Sequence, residues 1–186
     1  PTQVGKTDAI IDIIRQCQYH KTAIIVSSDN KTDQQEQLYS RLQNSLTPLP
    51  FALFRVNNRR DMKRLMVDMD VGLVPIFFCL DNSNQVRKTL EAIGTVNFTH
   101  RDKIDKLVII HDEADTTTRC SDVYNEQATA CAKSHKMWIG LINSASSNNI
   151  NVKRVMVTAT PEVCVMKYKI KSPFIIQLEK PNNYTG

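Results

Sequence analysis

Apolar positions along this chain follow two spacings in turn. Short runs rich in β-branched residues are separated by stretches in which apolar residues recur every three or four positions, a pattern of strands alternating with amphipathic helices. Ile10, Ile13, Ile14 and Cys17 form one stripe and predict a helix from about Gly5 to His20. Thr22 to Val26 follows as a buried strand. Leu38, Leu42 and Leu46 mark a second helix, which Pro48 and Pro50 end before a strand from Phe51 to Val56. Met62, Leu65, Met66 and Met69 mark a third helix. Leu73 to Leu80 is the next strand, with Pro75 near its start or on an edge, and Val86, Leu90 and Ile93 mark a fourth helix. Leu107 to Ile110 is another strand. A helix is expected over much of Gln127 to Ile142, with Met137, Trp138, Leu141 and Ile142 packed in the core, then a polar loop from Ser144 to Asn151. Val152 to Val157 and Phe174 to Leu178 are expected to close the sheet.

This alternation implies a mostly parallel, doubly wound α/β sheet with helices on both faces, spanning residues 1–186 as one domain. The 186 residues are 41% apolar and 23% charged, which supports a buried core and excludes disordered, collagenous and coiled-coil classes. The longest apolar run, Leu73 to Leu80, falls far short of the roughly 20 residues a membrane helix requires, so no membrane partner is expected. Five cysteines with no C-x-x-C pair suggest neither a disulfide framework nor a zinc ribbon, and point to a reducing, intracellular setting. The formal charge of +5 accommodates a polyanionic partner without requiring one. The chain opens at Pro1 with a functional loop already under way, and is expected to be cut from a longer protein.

In doubly wound sheets, ligands bind beyond the carboxyl ends of the strands, so the residues just after each strand carry the candidate chemistry. Pro1-Thr2-Gln3-Val4-Gly5-Lys6-Thr7 supplies the last seven positions of the phosphate loop G-x-x-x-x-G-K-[ST]. Gly5 lets the backbone turn so that successive N–H groups and a helix N-terminus face an anion. Lys6 adds a mobile positive charge that can follow a γ-phosphate, and the Thr7 hydroxyl is a hard oxygen ligand suited to Mg²⁺.

Leu107-Val108-Ile109-Ile110-His111-Asp112-Glu113 is an apolar strand that delivers two adjacent carboxylates to the same sheet edge. Asp112 is placed to hold Mg²⁺ and Glu113 to orient and deprotonate a water attacking the γ-phosphate of ATP. Side chains alternate along a strand, so the strand must end and turn there for both to serve one site. His111 reads as a local hydrogen-bonding group.

Together, Pro1 to Thr7, Asp112-Glu113-Ala114-Asp115 and Thr158-Ala159-Thr160-Pro161 resemble motifs I, II and III of superfamily 2 helicases. Over essentially its whole length the chain is similar to the first of the two RecA-like domains of the DEAD/DEAH-type core. The resemblance implies a P-loop NTPase fold and a nucleic-acid-dependent ATPase that couples hydrolysis of MgATP to translocation or unwinding. It implies DNA or RNA and a second RecA-like domain of the same parent chain as partners, and little or no hydrolysis by the isolated fragment. Thr158 and Thr160 would hydrogen-bond toward Asp115 and link the γ-phosphate to movement between domains. Gln3 stands where many family members have glycine, and Thr-Ala-Thr where Ser-Ala-Thr is common. The tail from Phe174 to Gly186 is similar to the segment after motif III in ATPases of viral and bacterial defence or replication systems.

Two further loops follow strands. Ser27 to Lys31 and Asp81 to Gln85 offer Ser28, Asn30, Lys31, Asn82 and Asn84 as candidate contacts to a sugar-phosphate backbone. The same residue types cap helices, and both loops precede helices. Arg59, Arg60, Lys63 and Arg64 form the densest basic cluster, either the extension of a polyanion groove or a solvated helix face. Two alternatives stay open: a viral packaging-type motor ATPase, and a non-hydrolysing nucleotide switch or scaffold.

Overall fold

The computed structural model describes residues 5–18, 21–28, 32–56, 59–99, 104–114, 126–168 and 175–176. Their elements run α1 (Lys6–Gln16), β1 (Thr22–Ser28), α2 (Thr32–Leu46), β2 (Phe51–Arg55), α3 (Arg59–Asp70) and β3 (Val74–Leu80). They continue through α4 (Ser83–Thr99), β4 (Lys106–Asp112), α5 (Glu126–Ser147), β5 (Asn151–Val157) and α6 (Pro161–Tyr168). The strands form one five-stranded sheet in the order β2-β3-β1-β4-β5, and every pairing is parallel.

Burial follows sheet position. The central strand β1 is buried at every residue, whereas β2 and β5, at the two ends of the order, alternate or stay partly exposed. A parallel strand covered on both faces needs a continuous apolar run, which Ala23-Ile24-Ile25-Val26 supplies. One face carries Ile24, Val26, Ile76, Phe78, Val108 and Ile110 against Ile10, Ile14, Leu38 and Leu42 of α1 and α2. The other carries Ile25, Phe54, Phe77, Leu107 and Ile109 against Leu65 and Met69 of α3, Val86 and Ile93 of α4, and Trp138 and Leu141 of α5. Pro75, second in β3, pairs with Ala52 of β2 in an internal strand, at the start where a missing N–H disturbs the ladder least.

Several boundaries differ from the sequence reading. Helix α1 stops at Gln16, four residues short of His20, because Cys17 turns back and its N–H meets the Ile14 carbonyl at 2.8 Å. Strand β1 runs two residues further, through the buried Ser27 and Ser28. Of the polar stretch from Ser144 to Asn151 only Asn148 to Ile150 forms a turn: α5 continues to Ser147 and β5 begins at Asn151. Ala145 extends the stripe of Trp138 and Leu141 into the core, so the serines around it occupy the outer faces of a helix that is held by burial. Ile175 and Ile176 do not join the sheet; both are exposed and without strand pairing, and the other residues of Phe174 to Leu178 lie outside the described set.

Candidate functional site

Neighbouring strands β1 and β4 send their chains to opposite faces of the sheet: β1 leads into α2 on one face and β4 toward α5 on the other. A crevice forms at the carboxyl ends of strands whose connections diverge in this way. Its floor is Ser28 at the end of β1 and Asp112 at the end of β4.

Helix α1 starts at this edge. Gly5, its N-cap, has φ 93 and ψ −24, a left-handed conformation that glycine adopts without the Cβ clash other residues meet. The Gly5 carbonyl accepts from Ala9 N at 2.9 Å, and among the described residues no side chain caps the helix, so the amides of its first turn point outward without intrahelical acceptors. Lys6 is 7% exposed, and its Nζ forms an ion pair with Glu113 Oε1. That contact brings the expected phosphate loop and the expected acidic strand end together.

The acidic end turns as its pleat requires. Asp112 is the last residue of β4, on the α1 side of the sheet with Ile110 and Val108. Glu113 then takes φ 50, left-handed for a non-glycine residue, and its N–H donates to Asp112 Oδ1 at 3.0 Å. This reversal swings Glu113 off the pleat it would otherwise follow and lets it reach Lys6. Left-handed backbone in a residue with a side chain costs roughly 1–2 kcal/mol, a cost met by the ion pair and the short turn.

Thr7, partly buried, follows Lys6 in the first turn of α1. At the end of β5, Thr158 Oγ1 accepts from Thr160 N at 3.0 Å in a local hydroxyl turn. Asp115, the partner expected for both threonines, lies outside the described residues, as do Pro1, Thr2, Gln3 and Val4.

Of the candidate nucleic-acid contacts, Asn30 and Lys31 also lie outside the described residues, and Ser28 is only 2% exposed. Asn82 caps α4, its Oδ1 accepting from Gln85 N at 3.0 Å, and Asn84 Oδ1 accepts from Arg87 Nη2 at 3.2 Å. Capping is thus one use of the β3–α4 loop.

Behind the acidic end is a buried polar network that sequence reasoning found only in part. His111 has no exposed surface; its Nδ1 lies 2.8 Å from Ser27 Oγ, and its Nε2 accepts from Arg154 Nε at 3.0 Å. Its ring meets Trp138 edge-on, centroids 5.1 Å apart, and the Trp138 indole N–H donates to Asp81 Oδ1 at 2.7 Å. Trp138 is the core residue its spacing indicated. Arg154 gave no signal in the sequence, because only the register of β5 against β4 brings it to His111.

Among the described residues, no helix is long and apolar enough to cross a membrane, and no three His, Cys, Asp or Glu side chains are gathered to hold a metal. No protein-family model and no curated protein matches the chain.

Proposed function

We propose that the chain is the RecA-like ATP-binding domain of a superfamily 2 helicase or translocase, coupling MgATP hydrolysis to movement on DNA or RNA together with a second RecA-like domain. The observation that carries this reading is the Lys6–Glu113 ion pair at the carboxyl edge of a parallel sheet, beside a left-handed Gly5 that opens a helix. A chance Gly-Lys-Thr and a chance Asp-Glu, more than a hundred residues apart, have no reason to meet at one crevice.

The donor set suits a magnesium-bound triphosphate. Thr7 and Asp112 are hard oxygen ligands, and Mg²⁺ is commonly held by one or two side chains plus phosphate oxygens, without an all-protein cage. Bound there, the metal would neutralise charge on the phosphate oxygens. The outward first-turn amides of α1 and the Lys6 ammonium receive phosphate oxygens, and Lys6 stabilises negative charge as the γ-phosphoryl leaves. Glu113 accepts a proton from the attacking water and fixes its line of approach. In this reading Lys6 is shared between Glu113 and phosphate, which holds the carboxylate close to the reacting atoms.

The test is ATP hydrolysis by the natural full-length protein, with and without single-stranded DNA and RNA. Stimulation by one nucleic acid is expected, with hydrolysis lost in Glu113→Gln while MgATP binding persists, and binding lost in Lys6→Ala. Hydrolysis that ignores nucleic acid, or that survives Glu113→Gln, would overturn the reading in favour of a nucleotide switch or another class of ATPase.

A further inference from the structure

We propose that His111 is a positioning residue for Glu113: a neutral imidazole, protonated on Nδ1, that ties β1, β4 and β5 together just before the acidic strand end. The proposal rests on the reading of Glu113 as the water-orienting carboxylate.

The tautomer follows from the donors. Arg154 Nε–H can only donate, so His111 Nε2 accepts, and the single proton of the neutral ring sits on Nδ1 and donates to Ser27 Oγ. Ser27 is the direct neighbour of His111 on β1, and Arg154 stands two residues before its neighbour Met156 on β5, on the same face. One ring therefore links three adjacent strands through side chains, in addition to the backbone ladder.

The same ring is held from above. Trp138 of α5 packs edge-on against it, and the indole is fixed by Asp81, whose own N–H donates to the Ser28 carbonyl at 2.9 Å. Among the described residues, Arg154 lies beside the imidazole and Asp81 beyond Trp138. The rest of β4 on this face is Leu107 and Ile109, and an apolar residue at 111 would fill the same space. A buried polar group in such a place specifies one arrangement among several that an apolar core would accept.

What this arrangement sets is the end of the strand. Asp112 and the left-handed Glu113 follow His111 directly, so lateral movement of β4 at His111 is carried within two residues to the Glu113 carboxylate. Misplacement of a catalytic group by about 1 Å can cost on the order of a hundredfold in rate.

The experiment combines imidazole nitrogen NMR with ATP hydrolysis by the full-length protein, with rates normalised to bound MgATP so that unfolded molecules are not counted. The resonance that disappears in His111→Gln should show protonated Nδ1 and bare Nε2. His111→Leu should lower kcat about tenfold or more at unchanged KM for ATP. His111→Gln, whose amide oxygen can accept from Arg154, should recover most of that loss. Arg154→Met, which removes the donor to Nε2, should lower kcat at unchanged KM for ATP as His111→Leu does. A ring protonated on Nε2, a wild-type kcat in His111→Leu, or equal losses in Leu and Gln variants would each overturn the proposal. A wild-type protein that hydrolyses no ATP, or an unimpaired Glu113→Gln, would remove the reading of Glu113 itself and the positioning role with it, and either is recognised without any His111 variant.

Discussion

Lys6 and Glu113 stand 107 positions apart and form a partly buried ion pair, their side chains 9% and 18% exposed. The contact joins the first turn of α1 to the residue after β4, so it closes the crevice edge whatever ligand binds there. Removing one partner leaves a charge with little access to water, which should cost about 1–3 kcal/mol in either Lys6→Met or Glu113→Gln. The double variant should lose less than the summed singles by about 1 kcal/mol. Denaturant unfolding of the four proteins checks this; strict additivity would mean that the pair contributes nothing to the fold.

Glycines divide by backbone geometry. Gly94 and Gly140 lie inside α4 and α5, on the wall of an apolar cavity of about 330 Å³ between these helices, and a Cβ added at either meets nothing within 4 Å. Alanine at each should stabilise by about 0.5–1 kcal/mol through helix propensity, raising Tm by roughly 2–4 °C per kcal/mol. Gly72, with φ +90, also has room around it, yet Gly72→Ala should destabilise by about 1–2 kcal/mol because its backbone is left-handed. Calorimetry that ranked all three alike would show that space alone decides.

The converse applies at Lys21, which takes φ 70 between α1 and β1. Its carbonyl accepts from Asp105 N at 2.9 Å and Lys106 N at 3.2 Å, and these two backbone bonds hold the turn without help from the side chain. Lys21→Gly should therefore be stabilising by up to about 1 kcal/mol, and Lys21→Val should be destabilising by more than that. Thermal unfolding distinguishes the two, and a loss of stability in Lys21→Gly would assign the lysine side chain a structural role of its own.

Strand-helix alternation was legible because a parallel sheet demands it. Ile24 and Val26 face one core and Ile25 the other, so the run had to be continuous, and the stripes of α1 and α2 stood out against polar neighbours. The end of α5 was misread because Ser144 to Ser147 has the composition of a loop, although Ala145 keeps the period set by Trp138 and Leu141. Within the candidate site, Gly5, Lys6, Asp112 and Glu113 announce themselves by adjacency and by their place after a strand or before a helix. His111 reads as a hydrogen-bonding group at the strand end, but its partners Ser27 and Arg154 do not announce themselves. Their meeting depends on inter-strand register, which is set by pairing across the sheet and leaves no periodic trace in any one segment.

Burial also sets the chemistry of the thiols. Cys79, with no exposed surface, is pushed up to about 12 from 9.0 by loss of hydration, opposed next by a hydrogen bond with Thr89 and helped to a smaller extent by the nearby Asp81 charge. Cys17 is raised for the same leading reason, with Lys106 and Lys153 opposing it. At pH 8 both should resist thiol reagents until the protein unfolds. The sign of the pH effect follows from the raised value. A thiol that ionises near 9.0 when unfolded and near 12 when folded contributes stability that is complete below pH 9 and lost between about pH 9 and 12. Wild-type stability should therefore fall more steeply than that of Cys79→Ala above pH 9, by roughly 1 kcal/mol per pH unit. Parallel denaturant titrations at pH 8 and 10 measure that difference, and equal slopes would mean that Cys79 is hydrated in the folded chain.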